Sequence, residues 1–131
     1  MRLLLDTHIV LWRITDNPRL PARARTIIDE EAVSIDVSAI SVWEVAIKWA
    51  QRRGRANDMP LSGKQFLHEL DLALIAPLPV QPLHAAAMDD LPAIHGDPFD
   101  RFLIATARHE GMTLLTRDAR LADYGDNVLV V

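Results

Sequence analysis

The segment His95-Gly96-Asp97-Pro98-Phe99-Asp100-Arg101 carries two carboxylates where a helix should begin. Asp97 stands at the N-cap position, Pro98 suits the first helical residue and Asp100 falls three residues after the cap. Taken alone, the two acids need do no more than cap a helix and complement its dipole, each worth about 0.5–1 kcal/mol. Three further acids stand at the ends of apolar runs or near a helix start, namely Asp6, Glu44 and Asp118. Gathered in one place, such carboxylates could hold a hard divalent cation. Whether they meet depends on the elements that carry them.

Those elements alternate between strand and helix. Arg2–Leu5 is a short unbroken apolar run, fitting a strand covered on both faces, and Asp6-Thr7 ends it. A short helix is expected over His8–Ile14 and another from Pro21 to Glu31, separated by Asp16-Asn17-Pro18. Residues Ala32–Val37 read as a second strand. A strongly apolar helix follows from about Ile40 to Arg53, capped by Ser38 or Ser41. Its polar residues Ser41, Glu44, Lys48 and Gln51 or Arg52 recur every three to four positions and form one narrow stripe. Glu44 can be a surface partner of Lys48, or the stripe can face a cleft. Beyond a polar loop over Gly54–Gly63, a helix is expected over Lys64–Leu70 and a strand or helix end over Leu72–Ala76. Pro77–Pro82 should be extended and Leu83–Met88 helical. Met112–Thr116 and Val128–Val131 complete the strands, with a helical turn at Leu121–Asp123.

This order predicts one domain over residues 1–131, an α/β fold of three layers with a mostly parallel central sheet. In a parallel sheet the crossover helices start at the carboxyl ends of the strands. Asp6 and Asp118 follow two strand ends, Glu44 lies near the start of one helix, and Asp97 and Asp100 open another. All five are therefore expected on the edge where open α/β sheets bind ligands. So many carboxylates would raise one another's pKa values unless a cation held them. An all-oxygen cluster suits Mg²⁺ or Mn²⁺.

Composition narrows the remaining chemistry. The chain has no cysteine, which excludes disulfides, thiolate zinc sites and cysteine nucleophiles. No apolar run reaches the roughly 20 residues of a membrane span, and Asp6 interrupts the N-terminus too early for a secretory signal, so a cytoplasmic protein is expected, without membrane contact. The net charge of −4 gives no overall basic face for nucleic acid. Arg101, Arg117 and Arg120 nevertheless lie near the acidic edge, and Lys48, Arg52, Arg53, Arg55 and Lys64 form a second basic group; both sets suit either a solvated surface or phosphate contact. His8, His68, His84, His95 and His109 lack metal-ligand spacing and are expected to be structural or superficial, with His8, two residues from Asp6, a partial exception. No aromatic platform for base stacking is visible.

In four stretches the chain resembles PIN-domain ribonucleases, and among them the VapC-type toxins of toxin–antitoxin pairs. They are Leu3-Leu4-Leu5-Asp6-Thr7-His8, Ser41-Val42-Trp43-Glu44-Val45-Ala46-Ile47-Lys48, His95–Arg101 with Leu103-Ile104-Ala105, and Leu115-Thr116-Arg117-Asp118. The resemblance spans nearly the whole chain. It implies a PIN-like α/β/α fold and an endoribonuclease in which Asp6, Glu44, Asp100 and Asp118 bind Mg²⁺ or Mn²⁺. Thr7, Ser41, Asp97, Arg101 and Thr116 are implied as supporting residues, with Asp97 mainly a helix cap. It also implies an RNA substrate, a small cognate antitoxin and a homodimer, for which the apolar helix bearing Trp43 and Trp49 offers a contact surface.

Two other readings start from the same residues. A phospho-acceptor receiver domain would also place an aspartate after its first strand, but the chain lacks a clear lysine after a late strand, and the Asp-Pro-Phe-Asp-Arg string has no role there. A non-catalytic regulatory domain would keep the fold without binding a divalent metal.

Overall fold

A computed structural model describes all 131 residues. Strand β1 (Arg2–Leu5) runs into helix α1 (Thr7–Ile14), and α2 (Ala22–Thr26) continues as a wider turn through Glu31. Strand β2 (Ser34–Asp36) precedes α3 (Ala39–Ala50) and α4 (Gly63–Leu72). The chain continues through α5 (Pro82–Ala86), a 3₁₀ turn at Ala87–Asp90, and α6 (Pro98–Glu110). Strand β3 (Thr113–Thr116), a 3₁₀ segment at Ala119–Tyr124 and β4 (Val128–Val130) complete it. The expected helix over Pro21–Glu31 thus widens at its end, where the Ala32 N–H reaches back five residues to the Ile27 carbonyl.

All four strands are parallel, in the order β2-β1-β3-β4. Successive residues of a strand face opposite sides, and here that rule sorts the core into two. Leu3, Leu5 and Leu115 pack with Ile9, Val10, Ile27, Val45, Phe66 and Leu70. Leu4 and Leu114 pack with Leu103, Ile104, Ala107, Met112 and Leu121 on the other side. Helices α1 to α4 therefore cover one face and α6 the other, as the unbroken apolar strands require.

Ser38 is the cap of α3: its side chain accepts the Ile40 N–H at 3.1 Å, which leaves Ser41 free to point elsewhere. The helix stops at Ala50, short of the expected Arg53. Helix α4 starts on a reciprocal Ser62–Gln65 capping box, and Gly63 allows close packing, since a Cβ there would meet the Ala46 Cβ at 2.9 Å. The Leu72–Ala76 segment proves to be a helix end, closed by a left-handed Leu74 at φ 59°. Leu78 then exchanges hydrogen bonds with Val37 and Ala39, so the proline-rich stretch lies beside the end of β2.

Of the histidines, His84 is fully structural. Its Nδ1 accepts the Gln81 N–H at 3.2 Å, which leaves the proton on Nε2 to face Glu110 Oε1 at 2.7 Å. Both His84 ring nitrogens are thus engaged, so His84 and Glu110 tie α5 to α6 and His84 has no free nitrogen for a metal.

Candidate metal centre and active site

Strand β1 leads to β2 on one side and pairs with β3 on the other, so the sheet order reverses direction at the β1–β3 boundary. In open parallel sheets the crevice beyond the carboxyl ends of such strands is the ligand site. Asp6 lies there, tied to β3 by its backbone N–H to the Leu115 carbonyl at 3.0 Å. It caps α1: Oδ1 accepts the His8 N–H at 3.0 Å. Its Oδ2 accepts the hydroxyl of Thr116, the last residue of β3, at 2.6 Å. The oxygen of that hydroxyl also accepts the Asp118 N–H at 3.0 Å, so Thr116 fixes two acids at once.

Glu44 comes from the second turn of α3 and is only 4% exposed. Thr7 Oγ1 lies 2.7 Å from Glu44 Oε1 and 2.9 Å from Ser41 Oγ. The single Thr7 proton serves the carboxylate, which makes Ser41 the donor to Thr7. Lys48 pairs with the other Glu44 oxygen from one turn on. The pair exists as the i,i+4 spacing allows, but its acid is buried and faces the cleft. Thr7 and Ser41 thus act through Glu44 and do not line the opening.

Asp97 caps α6 by accepting the N–H groups of Phe99 at 2.8 Å and Asp100 at 3.3 Å. That cap turns Asp100 inward. The five acids Asp6, Glu44, Asp97, Asp100 and Asp118 line one cleft of about 280 Å³ together with Lys48, Arg117 and Arg120. Arg101 goes elsewhere, because its guanidinium donates to the Pro92 carbonyl at 2.8 Å and the Tyr124 hydroxyl at 3.2 Å. The support expected of Arg101 at the site is therefore corrected to a brace between α6 and the segments flanking it.

The electrostatics of the cleft follow from this crowding. Burial, and then the charges of Asp6, Asp97, Glu44 and Asp118, push the Asp100 carboxyl up to about 7. Burial also raises Asp6, against the opposing bonds from Thr116 and His8. Asp118 moves the other way: the Arg120 guanidinium, at 2.7–3.2 Å, holds it below the usual carboxylate range.

These residues fit a hard divalent cation. The donors are carboxylate oxygens, they converge from four separate elements, and their mutual repulsion is what a dication would relieve. His95 was missed in the sequence. Its Nε2 lies 3.2 Å from Asp100 Oδ2, and its backbone N–H donates to the Tyr124 hydroxyl at 2.9 Å. Ligand atoms of His95, Asp97 and Asp100 lie within 4.8 Å of one another. Its signals in the sequence are its place five residues before Asp100 and its position in the PIN-like stretch His95–Arg101, and metal-ligand spacing among the histidines registers neither.

The PIN domain family model matches residues 3–127. This chain is a PIN domain. It is 35% identical over 122 residues to Ribonuclease VapC22 of Mycobacterium tuberculosis, covering 92% of this chain and 90% of that one. This makes it a VapC-type member of the family. Among solved structures, VapBC2 from Rickettsia felis, bound to a DNA fragment from its promoter, shares the fold of this PIN domain. Its TM-score is 0.66 at 16% identity, over 100% of this chain and 98% of that one. FitAcB from Neisseria gonorrhoeae aligns with a TM-score of 0.59 at 25% identity, over 88% and 87% of the two chains. Membership in the PIN family sets aside the phospho-acceptor alternative. No helix of this PIN domain is long and apolar enough to cross a membrane.

Proposed function

We propose that the chain is a Mg²⁺- or Mn²⁺-dependent endoribonuclease that hydrolyses RNA phosphodiester bonds and acts in the cytoplasm as the toxin of a toxin–antitoxin pair. The observation that carries this reading is the convergence of Asp6, Glu44, Asp100 and Asp118 on one cleft of a chain 35% identical to a ribonuclease. Those four residues would hold the metal. When bound, it would lower the pKa of an attacking water and offset charge on the phosphoryl oxygens.

The side chains have distinct tasks in this scheme. Thr116 and the His8 N–H aim Asp6, while the Ser41–Thr7 pair aims Glu44. Asp97 sets the first turn of α6 so that Asp100 faces the other acids. Lys48, Arg117 and Arg120 stand around the acidic cleft, where cations can bind phosphate oxygens of an RNA strand without base preference. The low net charge is then no obstacle, because much of the negative charge lies in the metal site.

The partners in this proposal are a small cognate antitoxin and a second copy of the chain. Supporting them are the VapBC2 structure among the neighbours and an exposed apolar surface, on which Trp43 is 58% exposed with its ring edge-on to Phe99 at 5.5 Å. The test is purified chain incubated with RNA and Mg²⁺ or Mn²⁺. Cleavage should be lost in EDTA and in the Asp6→Asn and Asp100→Asn proteins with the fold retained. Full activity of Asp100→Asn, or cleavage indifferent to EDTA, would overturn the assignment. Expression should arrest growth, with relief by a co-expressed small antitoxin. Folded protein that binds no divalent metal would instead favour the non-catalytic reading.

A further inference from the structure

A second depression adjoins the acidic cleft and shares His8 and Trp12 with it. It measures about 570 Å³ and runs from α1 to the loop carrying Asn57 and Asp58. We propose that this groove is a nucleobase subsite, in which Trp12 stacks against the base of a nucleotide next to the scissile phosphate. The proposal rests on the ribonuclease reading above and extends it to how the strand is held.

Three features point to a base. The first is the platform itself. Trp12 is half-buried and packs against the core below, so its ring is held in place while still lining both depressions. The His8 ring stands beside it, 6.0 Å away and tilted by 57°. Single-stranded RNA is gripped by such aromatic surfaces, on which unstacked bases lie.

The second feature is the polar equipment of the groove. Asn17 Oδ1 accepts the Arg19 N–H at 2.9 Å, which leaves the Asn17 amide N–H₂ for a ligand. The guanidinium of Arg19 and the side-chain amide of Asn57 also line the groove and make no hydrogen bond within the chain. Amide donors and acceptors of this kind match the edges of bases. The third is charge. Asp58 lines the groove, with Oδ2 accepting the N–H groups of Arg53 and Arg55 at 2.9 Å each. With Arg19 on the same groove the two charges offset each other, so the groove lacks the cluster of cations around the cleft and tolerates a neutral ring. Lys48, Arg117 and Arg120 line the cleft and not the groove. The division places the backbone over the cleft and the base over Trp12.

The test uses an oligoribonucleotide with one mapped cut and versions carrying an abasic residue on either side of it. In the unaltered protein, one of the two abasic substrates should lose about 10-fold or more in kcat/KM, the scale of one base–aromatic stack. Trp12→Leu keeps an apolar side chain against the core. It should lose about as much on the intact substrate and show no further loss on that abasic one, whereas Trp12→Phe should retain most of the activity. Asn57→Ala, an exposed loop change, should alter the preference among the four bases at the same position and leave the abasic substrate unaffected. An abasic penalty that persists undiminished in Trp12→Leu would overturn the subsite while leaving the nuclease intact. Trp12→Leu protein that does not fold leaves the decision to Asn57→Ala, whose failure to change base preference would also overturn it. A chain that cleaves no RNA would refute the nuclease reading and the subsite with it.

Discussion

Replacing Asp100 by asparagine should stabilise the metal-free protein at alkaline pH while removing its activity. The Asp100 carboxyl sits at about 7 against an ordinary 3.8. At roughly 1.4 kcal/mol per unit, ionising it in the folded chain costs about 4 kcal/mol relative to the unfolded chain. Between these two values the unfolded state has released the proton and the folded state keeps it, so stability falls as pH rises from about 4 to about 7. Above that range the whole penalty is present; below it none is. Asp6, also raised, shifts stability in the same direction; solvent screening in the open cleft lowers the observable gain from the Asp100 substitution to about 2 kcal/mol. For a chain of 131 residues that corresponds to about 7 °C in melting temperature. The assay is thermal unfolding of both proteins in EDTA between pH 4 and pH 8.5. Asp100→Asn should melt about 7 °C higher at pH 8, and the two curves should converge towards pH 4. An advantage that does not change with pH, or a less stable variant at pH 8, would refute the claim that crowded carboxylates strain this cleft.

Other expected outcomes follow from neighbouring contacts. Mg²⁺ or Mn²⁺ at about 100 times its Kd should raise the stability of the unaltered protein by about 2.7 kcal/mol and that of Asp100→Asn by much less, as seen in the same melts. Thr116→Val removes the hydroxyl that donates to Asp6 and accepts from Asp118; it should cost about 1–3 kcal/mol of stability and weaken metal affinity measured by calorimetry. His84→Ala should cost a similar amount of stability, because the Gln81 N–H and Glu110 lose their partner, yet leave RNA cleavage per folded molecule unchanged. Arg120→Ala should tighten metal binding slightly, since an exposed, solvent-screened ion pair competes only weakly for Asp118, and should raise KM for RNA.

The parts of this site that could be read in advance are those governed by sheet topology. Asp6 and Asp118 follow parallel strands, and Asp100 follows a Pro98 helix start, so a rule about strand ends brings them to one edge without knowledge of any loop. The same rule carries Glu44, although its burial needed the structure, because an i,i+4 partner such as Lys48 is compatible with either face of a helix. Ser38 and Ser41 were indistinguishable as caps, since both are hydroxyls at a helix start; the backbone turn at Ser38 decides between them, and Ser41 is thereby released to bond Thr7. Arg101 was misassigned for the same kind of reason. One residue from Asp100 in sequence is about 100° away around a helix, which points it at Tyr124. His95 could not be placed, because the path of the 91–97 segment fixes it. Trp12 lies on the expected helix, but the groove beside it depends on the 56–60 segment, and no periodicity records a loop's path.

The opposed environments of Asp100 and Asp118 suggest how one cleft can suit both a cation and an anion. If all the acids were as buried as Asp100, the metal-free site would retain several protons and a dication would have to displace them all. If all were as well paired as Asp118, the site would be neutral already and have little use for a metal. Here burial holds the Asp100 carboxyl at about 7 and raises Asp6 as well, while an exposed arginine pairs with another carboxylate at small cost. Under the proposed function, Asp118 would help hold the dication, and Arg120 would then be left at the cleft edge with a phosphate as its alternative partner. On that reading Arg120 would serve the acid in the metal-free chain and the substrate in the loaded one, so Arg120→Ala should tighten metal binding while raising KM for RNA.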